Sequence, residues 1–311
     1  MQVHRALPIQ KTLEKCALTI GTFDGVHRGH QSLVARLKAE ADARDLPCAA
    51  LTFVDMPYCL FRPDDCPQLL TLADEKIAAF SQTALDYLFI VPFTRDIADQ
   101  SARDFMAYWR EIIGLTLFVG GPDFALGRER EGDITALKIL GKEMGFETLA
   151  LEEKLLENGA PISSTRSRVI IENGEVERAR QFLGRNYRLP GKVVSGDQIG
   201  RKIGVPTINI LPDSRKCVPK NGVYGIRATF DGKTWAAVLN IGMRPTVGGL
   251  KKQIEFHVLD ANIETPPQNV ELEFVARLRD EQKFDGLDAL VAQMRNDIKL
   301  GRSLLNADER G

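Results

Sequence analysis

Gly21-Thr22-Phe23-Asp24-Gly25-Val26-His27-Arg28-Gly29-His30 is the stretch that decides the fold of the first half of this chain. The apolar run Ala17 to Ile20 enters it and predicts a strand, and Leu33, Val34, Leu37 and Ala41 leave it at helical spacing. The histidines and glycines of this stretch thus sit on a strand-to-helix turn. Free backbone N–H groups and the positive end of a helix dipole favour an anion there. His27 and His30 are three residues apart and can face one spot from the first helical turn. Gly29, between them, lets a phosphate approach the backbone. A zinc pair is the competing chemistry, but no further Cys or His follows at ligand spacing and H-E-x-x-H is absent. The stretch matches neither the P-loop lysine pattern nor G-x-G-x-x-G.

A length of 311 residues suffices for two domains with their own cores. With 44% apolar and 27% charged residues, the composition is that of a soluble globular protein. Net charge is −1, which argues against a general nucleic-acid binder and makes any phosphate attraction local. The five cysteines, Cys16, Cys48, Cys59, Cys66 and Cys217, are scattered and form no C-x-x-C. They predict reduced thiols in a cytosolic protein. No apolar leader and no long apolar run occurs, so neither a signal peptide nor a membrane span is expected.

Strand and helix patterns alternate from residue 17 to about 151. Strands are expected at Cys48–Phe53, Tyr87–Phe93, Leu115–Val119 and Thr148–Leu151. A proline-punctuated loop should fill Val54–Leu70, and Thr71 with Asp74 should cap a helix to about Gln82. Ser101 with Asp104 should cap another through Trp109, and Ile134–Met144 reads as a third. This alternation implies a doubly wound parallel α/β sheet with ligands at the carboxyl ends of its strands. After a helix over Glu175–Leu183 and a joint at Gly184–Pro190, the pattern changes to short β-rich runs. These are Lys192–Ser195, Val205–Ile210, Val223–Phe230, Thr234–Leu239, Ile254–Leu259 and Val270–Leu278, with a hairpin at Asp231-Gly232. A last helix carries Leu287, Leu290, Val291, Met294 and Ile298 on one face. The sum is a small antiparallel β-barrel with a terminal helix.

In this order the motifs resemble one family. The strand–G-x-F-D-G-x-H-x-G-H–helix unit resembles the H-x-G-H nucleotidyltransferases, and among them the bacterial bifunctional riboflavin kinase/FMN adenylyltransferases (FAD synthetases). The resemblance implies a nucleotidyltransferase-like Rossmann domain whose Gly21, Phe23, Asp24, Gly25, His27 and His30 serve ATP. Gly120 to Gly127 resembles the family's V-G-x-D-F-x-F-G and adds Asp123, with Gly120 and Leu126 as departures. Thr52 to Pro57 resembles T-F-x-P-H-P, but Asp55 and Met56 replace the proline and the histidine. Ile162 to Arg168 resembles I-S-S-T-x-I-R, with Ser167 for isoleucine, and adds Ser163, Ser164, Thr165 and Arg168. Hydroxyls and arginines at a helix start suit a triphosphate, although alone they equally suit a plain cap with solvated arginines.

The second half resembles the kinase of the same family. Gly191 to Asn209 is similar to G-x-V-x-x-G-x-x-x-G-x-x-x-G-x-P-T-x-N. Its glycines allow main-chain amides to fold round a phosphate. The resemblance gives Gly196, Gly200, Arg201, Gly204, Pro206 and Thr207 to the nucleotide. Thr207 and Asn209 share one strand face and offer hard oxygen ligands for Mg²⁺. Asn240 to Thr246 resembles N-I-G-x-R-P-T, Ile254 to Asp260 resembles V-E-x-H-x-L-D, and Leu278-Arg279 with Lys283-Phe284 matches a late family segment. By that likeness Glu255 is the general base, and Asn240, Arg244, Glu255 and Arg279 meet the flavin. Ala261 to Pro267 replaces the family's acidic, Tyr-Gly-containing turn.

The expectation is therefore a cytoplasmic bifunctional enzyme. Residues 1–185 would adenylylate FMN to FAD and residues 186–311 would phosphorylate riboflavin to FMN, with ATP as co-substrate and Mg²⁺ in both. Its partners would be riboflavin, FMN, FAD and ATP, with no nucleic acid and no membrane. An H-x-G-H transferase of another substrate, or a tRNA-ligase-like module, is the second reading, against which stands the lack of a K-M-S-K-S run and of a basic stripe. A flavin- or nucleotide-sensing protein without catalysis is the third.

Overall fold

A computed structural model describes the protein except for residues 152–154, 197–199, 201–203, 247–248, 262 and 309–311; the side chains of 244–246, 249–251 and 307–308 are also left undescribed. The chain divides into two compact units, Met1–Ser164 and Thr165–Gly311.

The first unit runs β1 (Gln2–His4), β2 (Cys16–Ile20), α1 (Arg28–Asp42), β3 (Cys48–Phe53), α2 (Pro57–Phe61), α3 (Ala73–Phe80), β4 (Tyr87–Val91), α4 (Arg95–Ala98), α5 (Ala102–Ile113) and β5 (Leu115–Gly120). It continues with the small hairpin β6 (Ala125–Leu126) and β7 (Gly132–Asp133), α6 (Ile134–Met144), β8 (Glu147–Ala150), and a second small hairpin, β9 (Leu156–Glu157) and β10 (Ala160–Pro161). Six strands form a parallel sheet in the order β1-β4-β3-β2-β5-β8. Strands β2 and β3 are buried throughout, as the continuous apolar runs of a sheet covered on both faces require. Alternate residues of β2 feed two cores. Ala17 packs with Val34 and Leu37 of α1, whereas Leu18 and Ile20 pack with Phe105 and Trp109 of α5. Strand order reverses between β2 and β5, and a doubly wound sheet opens its ligand crevice at such a point.

The second unit contains most of α7 (Ser164–Glu172), then α8 (Val176–Leu183), β11 (Tyr187–Val194), β12 (Ile208–Pro212), β13 (Gly222–Phe230), β14 (Lys233–Thr246), β15 (Gly249–Val258), β16 (Asn269–Arg279) and α9 (Leu287–Asp308). The strands close an antiparallel barrel in the order β11-β12-β15-β14-β13-β16. Phe230 pairs with Lys233 across Asp231 and Gly232, which have φ of 49° and 73°, the left-handed pair a type I′ hairpin turn needs. Helix α9 packs Ile298 and Leu305 on Val223, Val238 and Val275. It comes close at Gly301, where a Cβ would stand 2.6 Å from Val238 Cγ2.

Several expectations change. Thr71 does not cap α3. Leu72 precedes that helix and Glu75 closes the cap by accepting from the Leu72 N–H, while the Thr71 hydroxyl is drawn to Gly25. The Val54–Leu70 loop contains α2, and Cys59 and Cys66 are joined in a disulfide, so two of the five thiols are not reduced. The cause is local: the chain turns back at Pro63, whose carbonyl accepts from the Cys66 N–H, and this brings the two cysteines together. The expected joint overlaps the barrel, because Tyr187 already pairs with Phe274 in β11. Val205 precedes β12, and β14 and β15 run far beyond the short strands foreseen. Leu287 is 55% exposed, and Asp297, Gly301 and Leu305 continue the buried face of α9.

Candidate active sites

At the carboxyl end of β2 the chain turns sharply. Phe23, Gly25 and Val26 have φ of 47°, 82° and 38°. Left-handed geometry costs a non-glycine residue about 1–3 kcal/mol, so the turn must be held from outside. Residues 70–76 hold it. The buried Asp24 carboxylate accepts from the N–H groups of Leu70 (2.9 Å) and Thr71 (3.1 Å). Gly25 N–H donates to Thr71 Oγ1 at 2.9 Å. Lys76 Nζ donates to the carbonyls of Thr22 (2.9 Å) and Phe53 (2.6 Å). Phe23 is buried with its ring edge-on to Phe80 and His30. Gly21 lies beneath that ring: a Cβ there would come within 3.1 Å of it.

His27 caps α1. Its Nδ1 accepts from the His30 N–H, which in the neutral ring places the proton on Nε2. The two imidazoles stack 3.5 Å apart at 16°, so the two rings lie side by side on one face of the helix start. Gly29 packs against the His27 ring, where a Cβ would stand only 3.2 Å away. Ser164 donates from Oγ to the Asp24 carbonyl at 2.7 Å, and this ties the start of α7 to the turn. Ser163 is half-buried beside it. Thr165 is exposed and Arg168 buried further along α7, in the second unit. Asp123 is exposed on the turn after β5, its carbonyl accepting from Arg130.

The barrel holds a cavity of about 400 Å³ and another of about 290 Å³. Thr207, Asn209 and His257 line both. Alternation along β15 brings Gln253, Glu255 and His257 to one face, opposite β12. Thr207 Oγ1 donates to Glu255 Oε2 (2.9 Å), Gln253 Nε2 donates to Asn209 Oδ1 (2.8 Å), and His257 Nδ1 donates to the Pro206 carbonyl (2.8 Å). A Cβ on Gly200 would lie 2.3 Å from the Val205 carbonyl, so only glycine fits there, and a Cβ on Gly196 would lie 2.1 Å from Asn209 Nδ2, a side chain that would have to move aside. Gly204 has φ of 78°. The larger cavity is also lined by Asn240, Arg279, Glu281 and Phe284, with Leu290 and Met294 of α9. Arg279 forks onto Asp297 at 2.9 and 2.8 Å, and Glu281 accepts from the Met243 N–H and from Asn221.

Comparison with known proteins separates the same two halves. Residues 9–166 match the FAD synthetase family model and residues 183–305 match the riboflavin kinase model. The bifunctional riboflavin kinase/FMN adenylyltransferase of Escherichia coli (strain K12) is 37% identical over 93% of this chain and 92% of its own. The chain belongs to this bifunctional family. The Haemophilus influenzae (strain ATCC 51907 / DSM 11121 / KW20 / Rd) member is 33% identical over 99% of this chain and 100% of its own. A solved structure from Streptococcus pneumoniae, described as a macrolide-efflux protein, superposes with a TM-score of 0.87 at 26% identity, covering 96% of this chain and 98% of that one. What that protein shares with this chain is the fold.

Against the family motifs, the structure gathers His27, His30, Gly25, Asp24 and Ser164 round one turn, and Thr207, Asn209, Asn240, Glu255 and Arg279 round one cavity. Arg201 lies outside the described residues, as does the side chain of Arg244. Sequence reasoning read Thr71 only as a helix cap and did not single out Lys76, Gln253, Glu281 and Asp297. Asp297 carries a legible signal, a carboxylate on an otherwise apolar helix face. Lys76 carries none, since a lysine on a short amphipathic helix reads as solvated. Among the described residues, no group of three or more His, Cys, Asp or Glu could hold a metal, and no helix is long and apolar enough to cross a membrane.

Proposed function

We propose that the chain makes flavin cofactors in two steps: riboflavin and ATP to FMN and ADP in the barrel, then FMN and ATP to FAD and pyrophosphate at the H-x-G-H turn. Residues 1–185 carry the adenylyltransferase and residues 186–311 the kinase. The observation that carries the reading is the presence, on one chain, of a stacked histidine pair at a helix start beside a switch point and a barrel whose two cavities meet at Thr207 and Asn209.

In the kinase, the larger cavity has the apolar walls and polar rim that suit a flavin, and the smaller, with Gly196, Pro206 and Thr207 in its wall, takes the nucleotide. Gly196, Gly200, Arg201, Gly204, Pro206 and Thr207 serve ATP. Asn240, Arg244, Glu255 and Arg279 serve riboflavin. Glu255, at the junction, takes the proton of the ribityl 5′-hydroxyl as that oxygen attacks the γ-phosphorus. Thr207 Oγ1 and Asn209 Oδ1 are the hard oxygens that would hold Mg²⁺. With no carboxylate cluster among the described residues, the ion would keep waters and phosphate oxygens, and it would supply charge neutralisation on the phosphates. In the adenylyltransferase, a phosphate oxygen of FMN attacks the α-phosphorus and pyrophosphate leaves. His27, His30, Ser164, Thr165 and Arg168 donate to the charge that develops, with Gly21, Phe23, Asp24, Gly25, Asp123 and Ser163 shaping or lining the ATP site. The three buried free thiols, Cys16, Cys48 and Cys217, suit a cytoplasmic location; the Cys59–Cys66 disulfide is the feature that departs from it.

The test is incubation with riboflavin, ATP and Mg²⁺ and chromatographic separation of the flavins. FMN and FAD should both form. His30→Ala should lower FAD formation by about 10²–10³-fold and leave FMN formation intact. Failure of the wild-type chain to make either product refutes the proposal.

A further inference from the structure

Lys76 sits on α3 with 1% of its surface exposed, and its charge reaches no solvent. Its Nζ donates to two main-chain carbonyls. Phe53 ends β3, and Thr22 stands one residue after Gly21 in the turn that leaves β2. The Thr22 carbonyl also accepts from the buried Thr52 hydroxyl at 2.9 Å. Two side chains from two elements therefore converge on one oxygen, five residues before His27. Burial pushes the Lys76 ammonium down to about 8, against the pull of Asp24 and Asp55, so the fold keeps a cation where it is costly. A methionine would fill similar volume without that cost. The placement has a use: Phe23, Gly25 and Val26 are all left-handed, and a turn of that shape cannot hold itself.

We propose that Lys76, seconded by Thr52, is a positioning residue for nucleotidyl transfer: it clamps the Thr22 carbonyl to the end of β3 and thereby sets where His27 and His30 stand. The inference rests on the adenylyltransferase reading of the first unit. Neither side chain needs to touch the substrate. The histidines act on it, and a displacement of about 1 Å at such groups can cost 10²-fold in rate.

The chain has four histidines, which makes imidazole NMR of the full-length protein a direct readout. His4, stacked on Phe89 with centroids 4.8 Å apart, reports the sheet, and His257 reports the barrel. In Lys76→Met, the His27 and His30 resonances should move while those of His4 and His257 stay. The kcat for FMN adenylylation should fall at least tenfold, with KM for ATP within threefold and riboflavin phosphorylation within twofold. Thr52→Val, a near-isosteric change, should move the same resonances and the same kcat in the same direction, by less. Unmoved His27 and His30 resonances in Lys76→Met, or adenylylation within threefold of wild type, overturn the proposal. If Lys76→Met loses the His4 signal and so has unfolded, Thr52→Val decides, and unchanged resonances and kcat in that variant overturn it. A wild-type chain that makes no FAD would remove the activity reading and leave the resonance shifts as the test of the clamp.

Discussion

Gly196→Ala should silence the kinase without disturbing the fold. A Cβ on Gly196 would lie 2.1 Å from Asn209 Nδ2 and 2.7 Å from its Cγ. Comfortable contact is about 3.5 Å, so the carboxamide must retreat by more than about 1 Å. Asn209 can do this by turning about its side-chain bonds, and Gly196 is not one of the left-handed residues, so stability should change by less than about 1 kcal/mol. The retreat breaks the bond from Gln253 and carries away an oxygen proposed to face Mg²⁺. A misplacement of that size costs on the order of 10²-fold in rate. The assay is steady-state riboflavin phosphorylation, with adenylylation of supplied FMN by the same chain as internal reference. A double-mutant cycle gives the cause. If the alanine acts through Asn209, then Gly196→Ala combined with Asn209→Ala loses no more than Asn209→Ala alone. Kinase activity within threefold of wild type, or fully additive losses in the double variant, would refute the argument.

Three further outcomes follow from the same geometry. Glu255→Gln should lower FMN formation by about 10²–10⁴-fold and leave adenylylation of supplied FMN unchanged, because the amide oxygen can still accept from Thr207 but cannot take a proton; quantifying both flavins in one reaction checks it. Asp297→Ala should destabilise the second unit by about 3 kcal/mol in urea titration, since the largely buried Arg279 guanidinium loses its fork; an unchanged midpoint would show that α9 is held by its apolar face alone. Lys76 governs a pH effect. Its folded value of about 8 lies below its ordinary 10.5, so between those pH values the unfolded chain holds a proton that the folded one has lost. Stability from this group is therefore least below pH 8 and rises as pH climbs toward 10.5, by up to ~3 kcal/mol. Thermal unfolding of wild type and Lys76→Met from pH 7 to 10 should show the difference moving in favour of wild type, and parallel curves would exclude it.

The amino-acid sequence alone determined the two halves, their order and their chemistry. A short, largely apolar run such as Cys48–Phe53 suits a strand covered on both faces, and a histidine pair three residues apart at a helix start can present both rings to one side. Local patterns of this kind carry their own geometry. Tertiary structure decided what depends on residues far apart in the chain. Thr71 reads as a helix cap, yet its hydroxyl belongs to Gly25, 46 positions earlier. Cys59 and Cys66 pair because the loop turns back at Pro63. Gly184–Pro190 looked like a joint until Tyr187 found Phe274 across the closing seam of the barrel. Lys76 shows the limit most clearly. Nothing in its neighbours marks it as buried, because what buries it is the meeting of two strand ends, and two free carbonyls at one point exist only once the sheet has formed.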